Sequence, residues 1–235
     1  MRTLSLIVLY LVLVAAVIPF FLLCLLLGLR DPLLAYGRWA MKLSAVILGL
    51  RPKVTGLENT LRSRPCVIMA NHESFLDGPL LFMVIPLPLR VILKKSVFRI
   101  PVVGVGMRYV GFVPVDRKRA RGGVRSIEKA AALMREKGYC YLIFPEGTRS
   151  RDGRMQPFRR GGFFLALRTG APIVPVTIRG TFELMPKGSF FVKRGPVEVV
   201  FHPPVPVEGC DESALPELVE KVRQAITSVL QPGAG

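Results

Sequence analysis

Residues 66–77, Cys66-Val67-Ile68-Met69-Ala70-Asn71-His72-Glu73-Ser74-Phe75-Leu76-Asp77, change character halfway along. Five apolar residues, too few for a helix, give way to a polar turn. Asp77-Gly78-Pro79 then offers a helix start, with Asp77 as N-cap and Pro79 in the first turn. A strand that delivers polar residues to a loop and passes into a helix is the repeating unit of an α/β fold.

Outward from this stretch the same alternation recurs. Short apolar runs bounded by turn residues occur at Arg90–Leu93, Gly111–Val115, Tyr139–Phe144, Ile173–Ile178 and Val197–Phe201. Helical patterns lie between them, at Asp77–Val84, about Val124–Lys137 with Gly138 as its stop, Gly161–Thr169 closed by Gly170, and Ser213–Leu230. The expectation is an α/β domain over residues 51–235, a central mixed sheet flanked by helices. Groups that do chemistry in such folds collect on the loops beyond strand ends.

Residues 1–50 differ from the rest. Thr3–Leu29 holds 27 residues without a charge, interrupted by Pro19, and as one helix it would exceed the ~30 Å hydrocarbon layer. It reads as an uncleaved membrane anchor that tilts, kinks or turns back. Leu33–Leu50 carries Arg38 and Lys42 beside Trp39, the pattern of an interfacial helix, although a solvated helix packed on the main domain fits nearly as well. Arg30, Arg38, Lys42, Arg51 and Lys53 follow the apolar run and only Arg2 precedes it. The positive-inside rule therefore puts the domain in the cytoplasm, on the inner membrane if the cell is bacterial.

Composition narrows the function. The net charge is +17, from 33 basic and 16 acidic residues, yet 51% of positions are hydrophobic and the mean hydropathy is +0.43. That combination excludes both a disordered chain and a neutral globule. Residues 1–206 hold 31 of the basic and 11 of the acidic residues, so the excess lies in the body. Anionic surfaces and ligands would be drawn to it. The four cysteines, at 24, 66, 140 and 210, have no C-x-x-C spacing; they argue for a reducing compartment and against a metal site.

Four blocks at strand ends carry the candidate chemistry. In the first, His72 and Asp77 would point about 140° apart on one continuous helix; across a turn, the carboxylate can fold back onto the imidazole and leave its other nitrogen as a general base. The second, Gly111–Arg117, delivers Arg117. The third, Phe144-Pro145-Glu146-Gly147-Thr148-Arg149-Ser150, offers Glu146 and Arg149, and the fourth is Val174–Gly180. Two such arginines near one histidine can clamp a phosphate through bidentate hydrogen bonds. Arg159 and Arg160 precede a helix start, where exposed amides favour an anion. His202, between a strand and a proline turn, reads as structural.

In this order the blocks resemble the glycerophospholipid acyltransferases, above all the 1-acylglycerol-3-phosphate (lysophosphatidate) acyltransferases, over about Val54–Pro206. Asn-His-x-x-x-x-Asp joined to Phe-Pro-Glu-Gly-Thr-Arg-Ser is a specific combination. The family often has Phe-Lys-x-Gly where this chain has Phe158-Arg159-Arg160-Gly161, a difference that keeps the charge. The resemblance implies that His72 is the catalytic base and Asp77 its partner. It also implies that Arg117, Glu146, Gly147, Thr148 and Arg149 bind a glycerophosphate acceptor, with the Val174–Gly180 block shaping the acyl pocket. Asn71, Ser74, Lys94, Arg159, Val174 and Pro175 are further candidate contacts to acyl chain or phosphate. The expected reaction is acyl transfer from acyl-CoA or acyl carrier protein to a lysophospholipid hydroxyl at an anionic membrane surface, with no bound cofactor or metal. Glycerol-3-phosphate or another lyso-lipid as acceptor, and water in a hydrolase, are the alternatives. A membrane-tethered nucleic-acid binder is the non-enzyme rival, but the basic clusters lack interleaved aromatics and no nucleic-acid motif is present.

Overall fold

The computed structural model describes residues 2–60, 65–116 and 120–230. Two helices, α1 (Arg2–Leu26) and α2 (Asp31–Leu48), precede the α/β body. Its strands are β1 (Pro52–Thr55), β2 (Val67–Ala70), β3 (Leu89–Lys94), β4 (Val113–Val115), β5 (Cys140–Ile143), β6 (Ile173–Arg179) and β7 (Val197–Phe201). Its helices are α3 (Asp77–Val84), α4 (Val103–Tyr109), α5 (Ala120–Lys137), α6 (Gly161–Thr169), α7 (Thr181–Leu184) and α8 (Leu215–Leu230).

The strands form one mixed seven-stranded sheet in the order β1-β7-β6-β2-β5-β3-β4. β6, β2, β5, β3 and β4 are parallel, whereas β7 runs antiparallel to β6 and pairs in parallel with β1. Every residue of β2 is buried, as a central parallel strand covered on both faces requires. Alternation along it supplies two cores. Ile68 and Ala70 pack with Leu34, Leu81 and Phe82 of α2 and α3 on one face. Val67 and Met69 pack with Met134, Phe163 and Val222 of α5, α6 and α8 on the other. Each such aliphatic side chain contributes roughly 1.5–3 kcal/mol by leaving water.

This layering opens the site. Adjacent strands β2 and β5 send their following helices, α3 and α6, to opposite faces of the sheet, so their loops diverge and leave a crevice at the carboxyl ends.

The strand and helix pattern read from the sequence is present, with corrections. α5 starts at Ala120, not Val124, and α8 at Leu215 after a short 3₁₀ turn over Glu212–Ala214. Three elements had no signal. β1 opens with a proline and half-alternates at an edge, α4 mixes Gly104 and Gly106 into an apolar run without a stripe, and α7 is a single turn.

α1 and α2 form an antiparallel hairpin through Leu27–Arg30 that lies on the body. The Tyr36 hydroxyl donates to the Leu13 carbonyl and the Tyr109 hydroxyl to that of Cys24, each at 2.9 Å. Arg90, wholly buried on β3, stacks over the Tyr139 ring, donates to the Val110 carbonyl and faces Asp31 at 3.5 Å, pinning the start of α2. Among the described residues no helix is long and apolar enough to cross a membrane. Arg38 also departs from the interfacial pattern. It turns onto the body, over the Phe82 ring and onto the Leu87 carbonyl, while Lys42 stays exposed.

Candidate active site

His72 sits on the loop between β2 and α3, and its Nδ1 lies 2.8 Å from Asp77 Oδ2. Asp77 does not cap α3 as the sequence suggested. It lies in the first turn, wholly buried, and its carboxylate reaches back. Oδ2 also accepts from the Glu73 and Ser74 amides, each at 2.8 Å, and Oδ1 accepts from the Thr181 hydroxyl at 2.6 Å. An acceptor surrounded in this way places the imidazole hydrogen on Nδ1 and leaves Nε2 with its lone pair. Nε2 makes no hydrogen bond among the described residues, and the His72 side chain is 19% exposed.

The loop after β5 holds this histidine from both sides. Glu146 Oε1 accepts from the His72 amide at 2.6 Å, and the His72 carbonyl accepts from the Ser150 amide at 2.8 Å. The imidazole stacks on Phe144 with ring centres 4.0 Å apart and planes 17° apart. Glu146 Oε2 accepts from the Gln156 amide at 2.7 Å. The resemblance implied that Glu146 binds the acceptor; it is only 3% exposed, and both its oxygens accept from backbone amides of the loops. Burial pushes its carboxyl up to about 7, against the two amides that favour the charged form. Glu73, whose Oε1 accepts from Asn71, is likewise raised to about 7, by burial and then by the nearby Asp77 charge.

The fourth block is also a brace. Asn71 exchanges two hydrogen bonds of 2.8 Å with the backbone of Ile178, so it ties the start of the histidine loop to the end of β6. Ser74 donates to the Met185 carbonyl at 2.8 Å. Val174 is buried in the core, and Pro175 is paired in register with Met69 in the sheet. Val174 and Pro175 sit in a central strand whose two faces are covered, and the Asn71 and Ser74 side chains are engaged in hydrogen bonds within the protein. His202 is structural as read, 2.7 Å from the Thr177 hydroxyl.

The basic residues are arranged differently. Arg149 lies over the exposed Phe75 ring, 5.9 Å from its centre, beside the histidine loop. Arg159 runs along Gly147, whose φ of +72° and missing Cβ both suit it; a Cβ there would stand 2.6 Å from Arg159 Nε. Arg149, Arg151, Arg154, Arg159 and Arg160 take part in no ion pair among the described residues. Thr148 is exposed and accepts from Lys187 at 3.0 Å, and Lys94 is exposed at the end of β3. Arg117 lies outside the described residues.

Three cavities adjoin these elements, the first, of about 460 Å³, lined by Glu73, Arg154, Arg179, Gly180 and Glu183. A second, of about 220 Å³, is lined by Asp116, Phe144, Gly147, Arg159 and the first turn of α6, so a carboxylate, a cation and the amides of a helix start meet in it. A third, of about 280 Å³, is lined mostly by apolar residues of α1, α2 and α4 with Phe82 of α3, and no residue of the fourth block lines it. Residues that sequence reading passed over are Thr181, Gln156 and Phe144. A hydroxyl directly after the strand-end pair Arg179-Gly180 was the signal for Thr181.

A mixed α/β sheet with a histidine–aspartate pair on one strand-end loop and arginines on the next defines the class. Residues 51–179 match the family model Acyltransferase, and the chain belongs to that family. Within it, the chain resembles the 1-acyl-sn-glycerol-3-phosphate acyltransferases. It is 41% identical over 156 residues to BAT2 of Brassica napus, a chloroplastic enzyme of that name, covering 65% of this chain and 44% of that protein. It is 31% identical to the enzyme of that name from Pseudomonas aeruginosa, over 82% of this chain and 74% of that protein. The crystal structure of the 1-acyl-sn-glycerophosphate acyltransferase PlsC from Thermotoga maritima superposes along the whole of both chains with a TM-score of 0.76 at 28% identity. The chain thus spans less than half of the plant relative and about three quarters of the bacterial one.

Proposed function

We propose that this protein moves a fatty acyl group from an acyl thioester, acyl-CoA or acyl carrier protein, to the free hydroxyl of 1-acyl-sn-glycerol-3-phosphate, forming phosphatidic acid. The observation that carries the reading is the 2.8 Å bond between His72 Nδ1 and Asp77, which leaves Nε2 available at the crevice. Nε2 takes the proton of the acceptor hydroxyl as its oxygen attacks the thioester carbonyl. Collapse of the tetrahedral oxyanion breaks the C–S bond, and the imidazolium returns the proton to the departing thiolate. A positioned base of this kind contributes typically 10²–10⁴-fold. Asp77 fixes the tautomer and balances the imidazolium that forms.

Arg149 and Arg159, which make no ion pair among the described residues, hold the acceptor phosphate, with the α6 amides beside Arg159. That orientation makes the attack effectively intramolecular. The apolar cavity beneath α1 and α2 takes acyl chain. The α1–α2 hairpin, which exposes Leu11, Leu22, Leu23 and Leu26, rests in the bilayer with the body on its cytoplasmic side.

The test is an acyl-transfer assay on the purified protein in detergent, with both carriers and a panel of acceptors. Phosphatidic acid should form from lysophosphatidate, and His72→Ala should abolish it. Turnover retained by that variant, or thioester cleavage independent of any lyso-lipid, contradicts the reading.

A further inference from the structure

Between α7 and β7 the chain runs Met185-Pro186-Lys187-Gly188-Ser189-Phe190-Phe191-Val192-Lys193-Arg194-Gly195-Pro196, with three cations and no acid. Phe190 and Phe191 are 80% and 72% exposed, the most exposed phenylalanines among the described residues. The segment is built to hold them there. Ser189 Oγ donates to the Phe191 carbonyl at 3.0 Å and accepts from its amide at 3.1 Å, and the Ser189 amide donates to Pro186. The Lys193 amide donates to the Leu184 carbonyl, closing the base of the loop. The serine hydroxyl thus covers both backbone groups of Phe191, which lowers the cost of carrying that residue into an apolar phase.

Its root joins the candidate active site. Lys187 Nζ donates to Thr148 Oγ1 at 3.0 Å and to the Arg149 carbonyl at 3.1 Å, and the Met185 carbonyl accepts from Ser74. Arg194 lies beside Gly49 at the end of α2, where Val46 is another exposed apolar residue. The loop therefore links the arginine-bearing rim to the N-terminal hairpin.

We propose that this loop is a membrane-docking element, separate from the hairpin. Phe190 and Phe191 enter the interfacial region of an anionic bilayer, while Lys193 and Arg194 meet its headgroups. Aromatic rings with flanking cations suit that boundary, where apolar depth and negative surface potential coincide. The element would hold the rim that carries Arg149 against the surface from which a lyso-lipid is drawn. This role rests on the acceptor's being a membrane amphiphile, but insertion itself is measured without any turnover.

The experiment uses the full chain with Trp39→Phe and Phe191→Trp, so that one tryptophan reports the tip. On mixing with phosphatidylcholine–phosphatidylglycerol vesicles, its emission should shift to the blue and be quenched by lipids brominated high on the acyl chain. Lys193→Gln with Arg194→Gln should weaken the response to anionic vesicles by roughly 10- to 30-fold. Phe190→Ser with Phe191→Ser should lower transfer on vesicle-borne acceptor and spare transfer on acceptor in detergent. An unshifted, unquenched tryptophan in protein that co-sediments with vesicles overturns the proposal. A response elicited by soluble acyl carrier protein and not by vesicles assigns the loop to a protein partner and also overturns it. Absence of transfer in every medium by the chain with its aromatic tip unchanged, while the tryptophan reporter shows insertion, would instead count against the catalytic reading.

Discussion

The histidine loop, residues 71–77, and the arginine rim, residues 147–160, are neighbours built on opposite principles. In the first, Asn71, Ser74 and Asp77 are buried, and each polar side chain is committed to a named partner within the protein. In the second, Arg149, Arg151, Arg154, Arg159 and Arg160 carry their charges without ion-pair partners among the described residues. A base must be aimed to within a fraction of an ångström, so its supports are rigid and desolvated. A phosphate clamp needs its hydrogen-bonding capacity unspent until the substrate arrives. On the proposed reading, the protein places its order on one strand end and, among the described residues, charge without an ion-pair partner on the next.

The comparison breaks most sharply if the aspartate is neutralised. Asp77→Asn removes the acceptor that orients His72, and turnover should fall by about 10²–10⁴-fold with little change in the acceptor KM. A drop confined to KM would move Asp77 from the ordered region to the binding region. On the rim the signature reverses. Arg149→Ala or Arg159→Ala should raise the acceptor KM by roughly 10- to 100-fold, the worth of one charged hydrogen bond, and leave kcat nearly untouched. Equal losses in kcat and kcat/KM for either variant would show that the rim also acts in the transition state.

Thr181→Val tests how far the ordered region extends. It strips Asp77 Oδ1 of its hydroxyl donor while keeping the side chain's shape, and kcat should fall by about 3- to 10-fold, with Thr181→Ser restoring it. A pH–rate profile read alongside should move in the valine variant and return in the serine variant, which a purely packing role would not produce.

The smallest effect is on stability. Glu73 is held at about 7 in the folded protein, well above its ordinary value near 4.5, so between those values the native state binds more proton than the unfolded one. The contribution of this group is full below about pH 4.5 and is lost as pH rises through 7, a change of at most ~3 kcal/mol. Glu73→Gln should therefore raise Tm at pH 8 by several degrees and have little effect at pH 5. A Tm difference independent of pH would mean that Glu73 is not the titrating group.

Much of this site was legible beforehand because its signals are local. The strand from Val67, the turn, and the start of α3 lie within twelve residues, so His72 and Asp77 could be paired from spacing and turn chemistry. Glu146 was legible as a loop residue but not as a brace. Its bond to the His72 amide spans 74 positions, and nothing in Phe-Pro-Glu-Gly distinguishes a carboxylate facing substrate from one facing backbone. Val174 and Pro175 were misassigned for the same reason, since only the order of strands shows that β6 lies beside β2 with both faces covered. Arg38 read as a headgroup contact because its periodicity is that of an amphipathic helix; its contact with Leu87 depends on where α2 lies.

By itself the sequence determined the alternation of strands and helices, the apolar front and basic body, and which loops bear the candidate catalytic groups. These follow from periodicity, turn residues and charge, all properties of neighbours along the chain. Only the tertiary structure decided which polar residues are supports and which are free to meet a ligand. That division depends on burial and on partners far apart in sequence. A carboxylate or amide removed from water must find its hydrogen bonds inside the protein, and the fold alone determines where those partners stand.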